Sequence, residues 1–217
     1  MNDQQALLAA LRGAGLEPPG GWLQTPQRLS VPPQQQRGLV FRGLSLAARR
    51  FGRDDVPDVL TVLHRHPRLF WSWVLFASRL MPNGRLPAAE REKVILRIGW
   101  NSRCLYEFGQ HVEVGLRVGL SDAEILRVAR GPGACEDAHE RALLSACDEL
   151  FAQQRVTDET WAVLAQRYDD KRLIELLMLA GHYIMIAGFL NSAGLRLEPA
   201  IAAKLEALCP RVKAGPG

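Results

Sequence analysis

The sequence predicts an all-α protein, and three observations carry that reading. After Pro57 the apolar residues recur at helical spacing almost to the C-terminus. Helix start and stop signals, among them Pro67, Pro87, Gly119 and Ser121-Asp122-Ala123-Glu124, divide these stretches into ordinary helix lengths. No run of alternating β-branched residues suggests a strand. The chain has 217 residues, 47% hydrophobic and 23% charged. These proportions suit one large domain or two small ones and exclude a disordered chain or a fibrous repeat.

Residues 1–55 read as an N-terminal arm, wrapped on the body or on a neighbouring subunit. Pro18-Pro19-Gly20-Gly21, Pro32-Pro33 and Gln34-Gln35-Gln36 break any sustained period, so only a short helix over 4–12 is expected. Its arginines Arg42, Arg49, Arg50 and Arg53 read as a solvated face. Val59, Leu60, Val62 and Leu63 then form a stripe ending at His66-Pro67. An aromatic-rich helix over 69–81 stops at Pro82-Asn83-Gly84, and its Phe70, Trp71, Trp73 and Phe76 read as core or subunit interface.

Pro87 opens the next helix, which runs to about Trp100 with Glu90 and Glu92 near its positive end. Asn101-Ser102-Arg103 interrupts it before a helix over 104–118, where Gly119 suits the C-cap. Ser121 and Glu124 form a capping box for a helix to Arg130, and Gly131-Pro132-Gly133 is a loop. Helices over 136–153, from Thr157 or Asp158 through Tyr168, and over 171–190 follow. A last one over 200–208 fades into a frayed tail. The implied division is an arm (1–55), a helical domain (56–198) and a C-terminal helix with tail (199–217).

The net charge of +4 comes from scattered arginines rather than a dense basic tract, so no nucleic-acid partner is expected. Leu176 to Ala180 and Ile184 to Leu190 are split by Gly181-His182, and neither approaches the roughly 20 apolar residues of a span, so no membrane partner is expected. Met1-Asn2-Asp3-Gln4-Gln5 has neither the basic start nor the apolar stretch of a secretory signal, which implies a cytoplasmic location. Cys104, Cys135, Cys147 and Cys209 then read as thiols, with no Cys-x-x-Cys pair. Cys135 and His139 lack further ligands at useful spacing, so no metal site is expected.

Chemistry concentrates between Glu90 and His111. Glu107 and His111 are one helical turn apart, and Cys104 lies two turns before His111 on nearly the same face. A carboxylate beside an imidazole fixes its tautomer and raises its basicity, and an imidazole can activate a thiol. A hairpin of the two helices would bring Glu92 to the same place. Each residue also has a plainer role: Glu107 with His111 as a surface pair, Cys104 as a small buried hydrophobe, His182 as a core histidine.

This stretch resembles the carboxymuconolactone decarboxylase and AhpD-type alkylhydroperoxidase superfamily over roughly residues 55–198. The peroxidase pattern is a Glu, a Cys-x-x-Cys and a His four residues after the second Cys. Glu92, Cys104 and His111 match it, with 111 − 92 = 19 residues between Glu and His, while Glu107 occupies the second Cys position. The resemblance implies a helical bundle with a helical-hairpin active site and a homo-oligomeric assembly.

It also implies cofactor-free proton transfer, as in the decarboxylase branch. His111 would move a proton on a small, anionic carbonyl or lactone substrate, with Glu107 tuning it and Glu92 as a second relay. Tyr106, Arg103 and His182 are candidate substrate contacts. Two other readings stay open: a thiol peroxidase using Cys104, and a non-catalytic helical binding module.

Overall fold

A computed structural model of the chain describes residues 3–33, 36–38, 41, 43, 45–46 and 56–214. Among these the fold is all-α, with no strand. The helices are α1 (Asp3–Gly13), α2 (Asp58–Leu63), α3 (Pro67–Leu80), α4 (Ala88–Asn101), α5 (Leu105–Arg117), α6 (Asp122–Arg130), α7 (Ala138–Gln153), α8 (Asp158–Leu164), α9 (Asp170–Ala193) and α10 (Pro199–Lys213). One turn of 3-10 helix, Pro132–Ala134, occupies the glycine-rich loop after α6. Arg42, Arg49, Arg50 and Arg53 lie outside the described residues.

Local chemistry sets most boundaries. Ser121 Oγ accepts from the Glu124 N–H at 3.2 Å while the Glu124 carboxylate accepts from the Ser121 N–H at 3.0 Å, a complete capping box. Asp137, Thr157 and Asp169 cap α7, α8 and α9 in the simpler one-way manner. Gly194 ends α9 at φ 68°, the left-handed region glycine enters without strain.

Helix α4 is the centre of the bundle and packs against α5, α6, α7 and α9. Val94, Ile95, Leu96 and Ile98 are fully enclosed, which explains why its apolar residues run together rather than forming one stripe. Each such side chain contributes about 1.5–3 kcal/mol of transfer free energy. One core cluster lies between α4, α5, α6 and α10; a second fills the other side of α4 against α7, α8 and α9.

The arm wraps on the body, one of the two places the sequence allowed it, while the C-terminal helix is longer than expected. Leu7, Leu11, Leu16 and Trp22 of the arm are buried in the first core cluster, where the Trp22 ring meets Trp100 edge-on at 5.6 Å. The Pro/Gly-rich stretch obscured this, because an extended segment buries side chains without a helical period. At the other end α10 runs to Lys213, with Leu208, Cys209 and Val212 buried. Pro210 lies inside that helix.

Helix α9 has two faces. One packs on α3, α4, α5 and α7; the other exposes Ile174 (62%), Met178 (48%) and Met185 (55%). Gly181-His182 does not interrupt it, so its 24 residues are long and apolar enough to cross a membrane by length and composition. Packing of its inner face is what a core helix shows.

Candidate active site

Helices α4 and α5 form a tight hairpin. Ser102, Arg103 and Cys104 donate from their N–H groups to Ile98, Trp100 and Gly99 carbonyls, each at 2.9 Å, and Asn191 Nδ2 donates to the Ser102 carbonyl at 2.8 Å. The helices approach closely because Gly99 has no side chain: a Cβ there would lie 3.3 Å from the Phe108 nitrogen. This closeness lets α4 and α5 share one polar cluster inside an apolar bundle.

That cluster is Glu92, His111 and Glu107. His111 Nδ1 lies 2.6 Å from Glu92 Oε2, and His111 Nε2 lies 3.1 Å from Glu107 Oε1. All three are buried, Glu92 completely. Burial opposes charging the imidazole, but the Glu92 charge and the hydrogen bonds from Glu107 and Glu92 outweigh it and raise the His111 pKa to about 9. At neutral pH the ring is an imidazolium between two carboxylates. Tyr183 holds its face, edge-on at 5.1 Å.

Beside the cluster lies a cavity of about 470 Å³, walled by α3, α5 and α9 with the start of α2. Phe70, Trp71, Trp73, Val74 and Ile186 make it apolar. Glu107 and His111 line it, whereas Glu92 does not: it stands behind His111 in the protein interior. Outward from the core come Glu92, then His111 and Glu107 side by side at the cavity wall.

The remaining residues singled out from the sequence separate. Tyr106 lines the cavity, with its hydroxyl donating to Glu198 Oε1 at 2.7 Å and accepting from the Val59 N–H at 3.1 Å. His182 also lines it, from α9. Arg103 does not. Its guanidinium donates to the carbonyls of Gly20 and Gly21, fastening the arm to the hairpin, so it is no substrate contact for this cavity. The backbone of Arg103 sits at φ 53°.

Cys104 is also apart from the cavity. It precedes α5 as the N-cap, with its side chain among Tyr106, Ile186 and Leu190 and only 1% exposed. Burial, then the nearby Glu107 charge, push its thiol pKa far up. Two turns along a helix give a shared face only once the helix has begun, and Cys104 lies before that point. All four cysteines are free and buried.

The expected anionic substrate finds no unpaired counter-charge, since the His111 imidazolium is already held between Glu92 and Glu107. Among the described residues the lining holds no Lys or Arg, and the basic side chains instead pair with surface acids, as Arg97 does with Asp148, Lys93 with Glu124 and Glu140, and Arg211 with Asp122. Among the described residues no three His, Cys, Asp or Glu side chains are arranged to hold a metal.

Two features escaped the sequence reading. Glu198, the N-cap of α10, accepts from Tyr106, from Gln110 Nε2 at 2.5 Å and from the Asp58 N–H at 2.7 Å, tying α2 to the site helix α5. Its only signal was a Glu before a proline. The aromatic stripe of α3 is cavity wall; periodicity marks an apolar face without showing whether a neighbour or a void meets it.

The carboxymuconolactone decarboxylase family profile matches residues 67–149, which span α3 to most of α7 and hold Glu92, Glu107 and His111. No curated protein sequence matches the chain. Among solved structures, an uncharacterized peroxidase-related protein from Silicibacter sp. TM1040 is similar at TM-score 0.72 and 14% identity, over 84% of this chain and 97% of that one. A second, an alkylhydroperoxidase AhpD core protein from Ralstonia eutropha JMP134, gives 0.70 and 20% over 82% and 96%. The debrominase Bmp8 in complex with 2,3,4-tribromopyrrole gives 0.69 and 12% over 85% and 99%. The profile match spans the site hairpin, and the solved structures share the helical fold of this chain.

Proposed function

We propose that the chain is an acid–base enzyme in which Glu107 exchanges a proton with a small, largely apolar molecule in the cavity. His111, beside it at the cavity wall, and Glu92, behind His111, hold and tune it. One observation carries the reading: a hydrogen-bonded line of titratable groups leads from an apolar cavity to a fully buried carboxylate. Such an arrangement perturbs proton affinities where a substrate can sit, which acid–base chemistry requires.

The roles differ from the expectation that His111 meets the substrate. Both of its nitrogens are engaged, so the group free to reach a ligand is the outer carboxylate, Glu107. The debrominase of the same fold, in complex with a small bromopyrrole, supports a compact flat ring as the kind of molecule such a cavity admits. Free, buried thiols suit a reducing, cytoplasmic setting. The exposed apolar face of α9 suits assembly into a homo-oligomer.

Neither other reading gains support. A peroxidase needs an accessible thiolate, and Cys104 is enclosed with a raised pKa. A module without catalysis gives no reason for three ionisable side chains to meet beside a cavity. The test is a panel of uncharged lactones and ring ketones, β-keto acids, and hydrogen peroxide with dithiothreitol. Wild type and Cys104→Ser should convert a carbonyl substrate alike, with Glu107→Gln and His111→Ala inactive. Peroxide turnover lost in Cys104→Ser would sink the proposal.

A further inference from the structure

His182 lines the cavity from α9 and has no acidic neighbour acting on it, unlike His111. Its ring stacks on Trp73, centroids 6.0 Å apart and planes 18° apart, and is edge-on to Phe76 at 5.5 Å and Tyr183 at 5.2 Å. Nδ1 is enclosed without a hydrogen-bond partner, which leaves Nε2 as the nitrogen that opens on the cavity. Burial holds the His182 pKa down to about 4, so the ring is neutral at pH 7 and carries a single proton. An enclosed N–H lacking an acceptor is costlier than an enclosed lone pair, which places that proton on Nε2. A neutral donor thus faces the cavity from α9 while a carboxylate faces it from α5.

We propose that His182 is the oxygen-binding group of the site, donating from Nε2 to the carbonyl oxygen of an uncharged ketone or lactone. This rests on the acid–base reading of Glu107. In the reaction the proton on the carbon beside the carbonyl passes to a Glu107 carboxylate oxygen. The C–H electron pair becomes the C=C bond of an enolate, and the negative charge gathers on the oxygen held by His182. Nothing is oxidised or reduced. The aromatic surroundings exclude water and strengthen a hydrogen bond aimed at developing charge. They also select an uncharged substrate, since a carboxylate would be desolvated beside Glu107, where the only cation among the described lining residues, His111, is already paired with Glu92 and Glu107.

Three probes of one shape test this on the full chain: acetophenone, α-methylstyrene (CH2 in place of the oxygen) and benzoate. Calorimetry should show acetophenone binding about tenfold tighter than α-methylstyrene, as one added hydrogen bond implies, and benzoate weakest. The infrared carbonyl band of bound acetophenone should move to lower frequency than in a hydrocarbon solvent. His182→Phe keeps an aromatic ring and should erase both the preference and the band shift, and His182→Gln, which keeps an N–H donor, should restore part of each. Deuterium exchange from D2O into the acetophenone methyl reads Glu107 separately and should vanish in Glu107→Gln. Exchange without a His182-dependent band shift overturns this inference and leaves the acid–base reading intact; a band shift without exchange does the reverse. No preference for acetophenone over α-methylstyrene, including no binding of either, also overturns it.

Discussion

Glu92 on α4 and His111 on α5 are 19 residues apart in sequence and 2.6 Å apart in space. The α4–α5 hairpin makes that contact short inside a mostly apolar bundle, with Arg91 Nε 3.7 Å from Glu92 and Glu107 on the far side of the imidazole. A buried charge pair of this kind does little for net stability, yet losing one partner strands the other in a low-dielectric interior. Glu92→Ala should therefore lower unfolding free energy by about 3–5 kcal/mol, while Glu92→Gln, which keeps a hydrogen bond, should lose less. Urea denaturation of both variants checks the order; equal losses would mean that the pair is not electrostatically coupled.

Stability should fall on both sides of neutrality. His111 has a raised folded pKa, so its contribution is complete below the ordinary 6.5 and is lost as pH rises through about 9. His182 has a lowered one, so its contribution is complete above 6.5 and is lost as pH falls toward about 4. Denaturation midpoints between pH 4 and 10 should show an alkaline limb that Glu92→Gln flattens and an acid limb that His182→Phe flattens. Imidazole titrations by NMR should place His111 above and His182 below the usual His range.

Native protein should resist thiol reagents. All four cysteines are buried, and burial, reinforced by the Glu107 charge, keeps the Cys104 thiol protonated. Ellman's reagent should find almost no reactive thiol before denaturation and four after it. Rapid modification of Cys104 in the folded protein would reopen the peroxidase reading.

Glu198 should matter more to affinity than to turnover. It joins the Tyr106 hydroxyl, the Gln110 amide and the first N–H of α2, and so holds one cavity wall against the site helix. Tyr106→Phe removes one of these bonds at a cost of about 1–2 kcal/mol in stability. The expected kinetic signature is a raised KM with kcat nearly unchanged; a collapse of kcat would move Tyr106 into the chemistry.

The outer face of α9 predicts self-association. Met185→Lys places a charge among Ile174, Met178 and Met185 without touching the cavity side. Analytical ultracentrifugation should show an oligomer for wild type and a smaller species for the variant. A monomeric wild type would remove the reason for this exposed stripe.

The helices were legible because caps and periodicity are local properties. Ser121 with Glu124 marks a helix start whatever lies around it, and Glu92 with His111 at the family spacing marks the hairpin. What stayed hidden depends on distant partners. Trp22 is buried by Trp100 and Phe108, far along the chain, and nothing near residue 22 announces it. Arg103 read as a candidate substrate contact, yet it binds glycines 82 and 83 residues away. The void beside His182 and Trp73 is set by how α3 and α9 splay, which no periodicity encodes.

Helix α1 packs directly on α10, so the first and last described helices close one core that also holds Phe108 and Val112 of the site helix. That closure has a kinetic consequence. The contacts separate almost the whole chain, so they form late and at high loop-closure cost. During synthesis, α5 is made long before the surface that shields it, and its Leu105, Phe108 and Val112 must wait for α10. The interval in which this protein is most exposed to aggregation therefore falls between the emergence of the α4–α5 hairpin and that of α10.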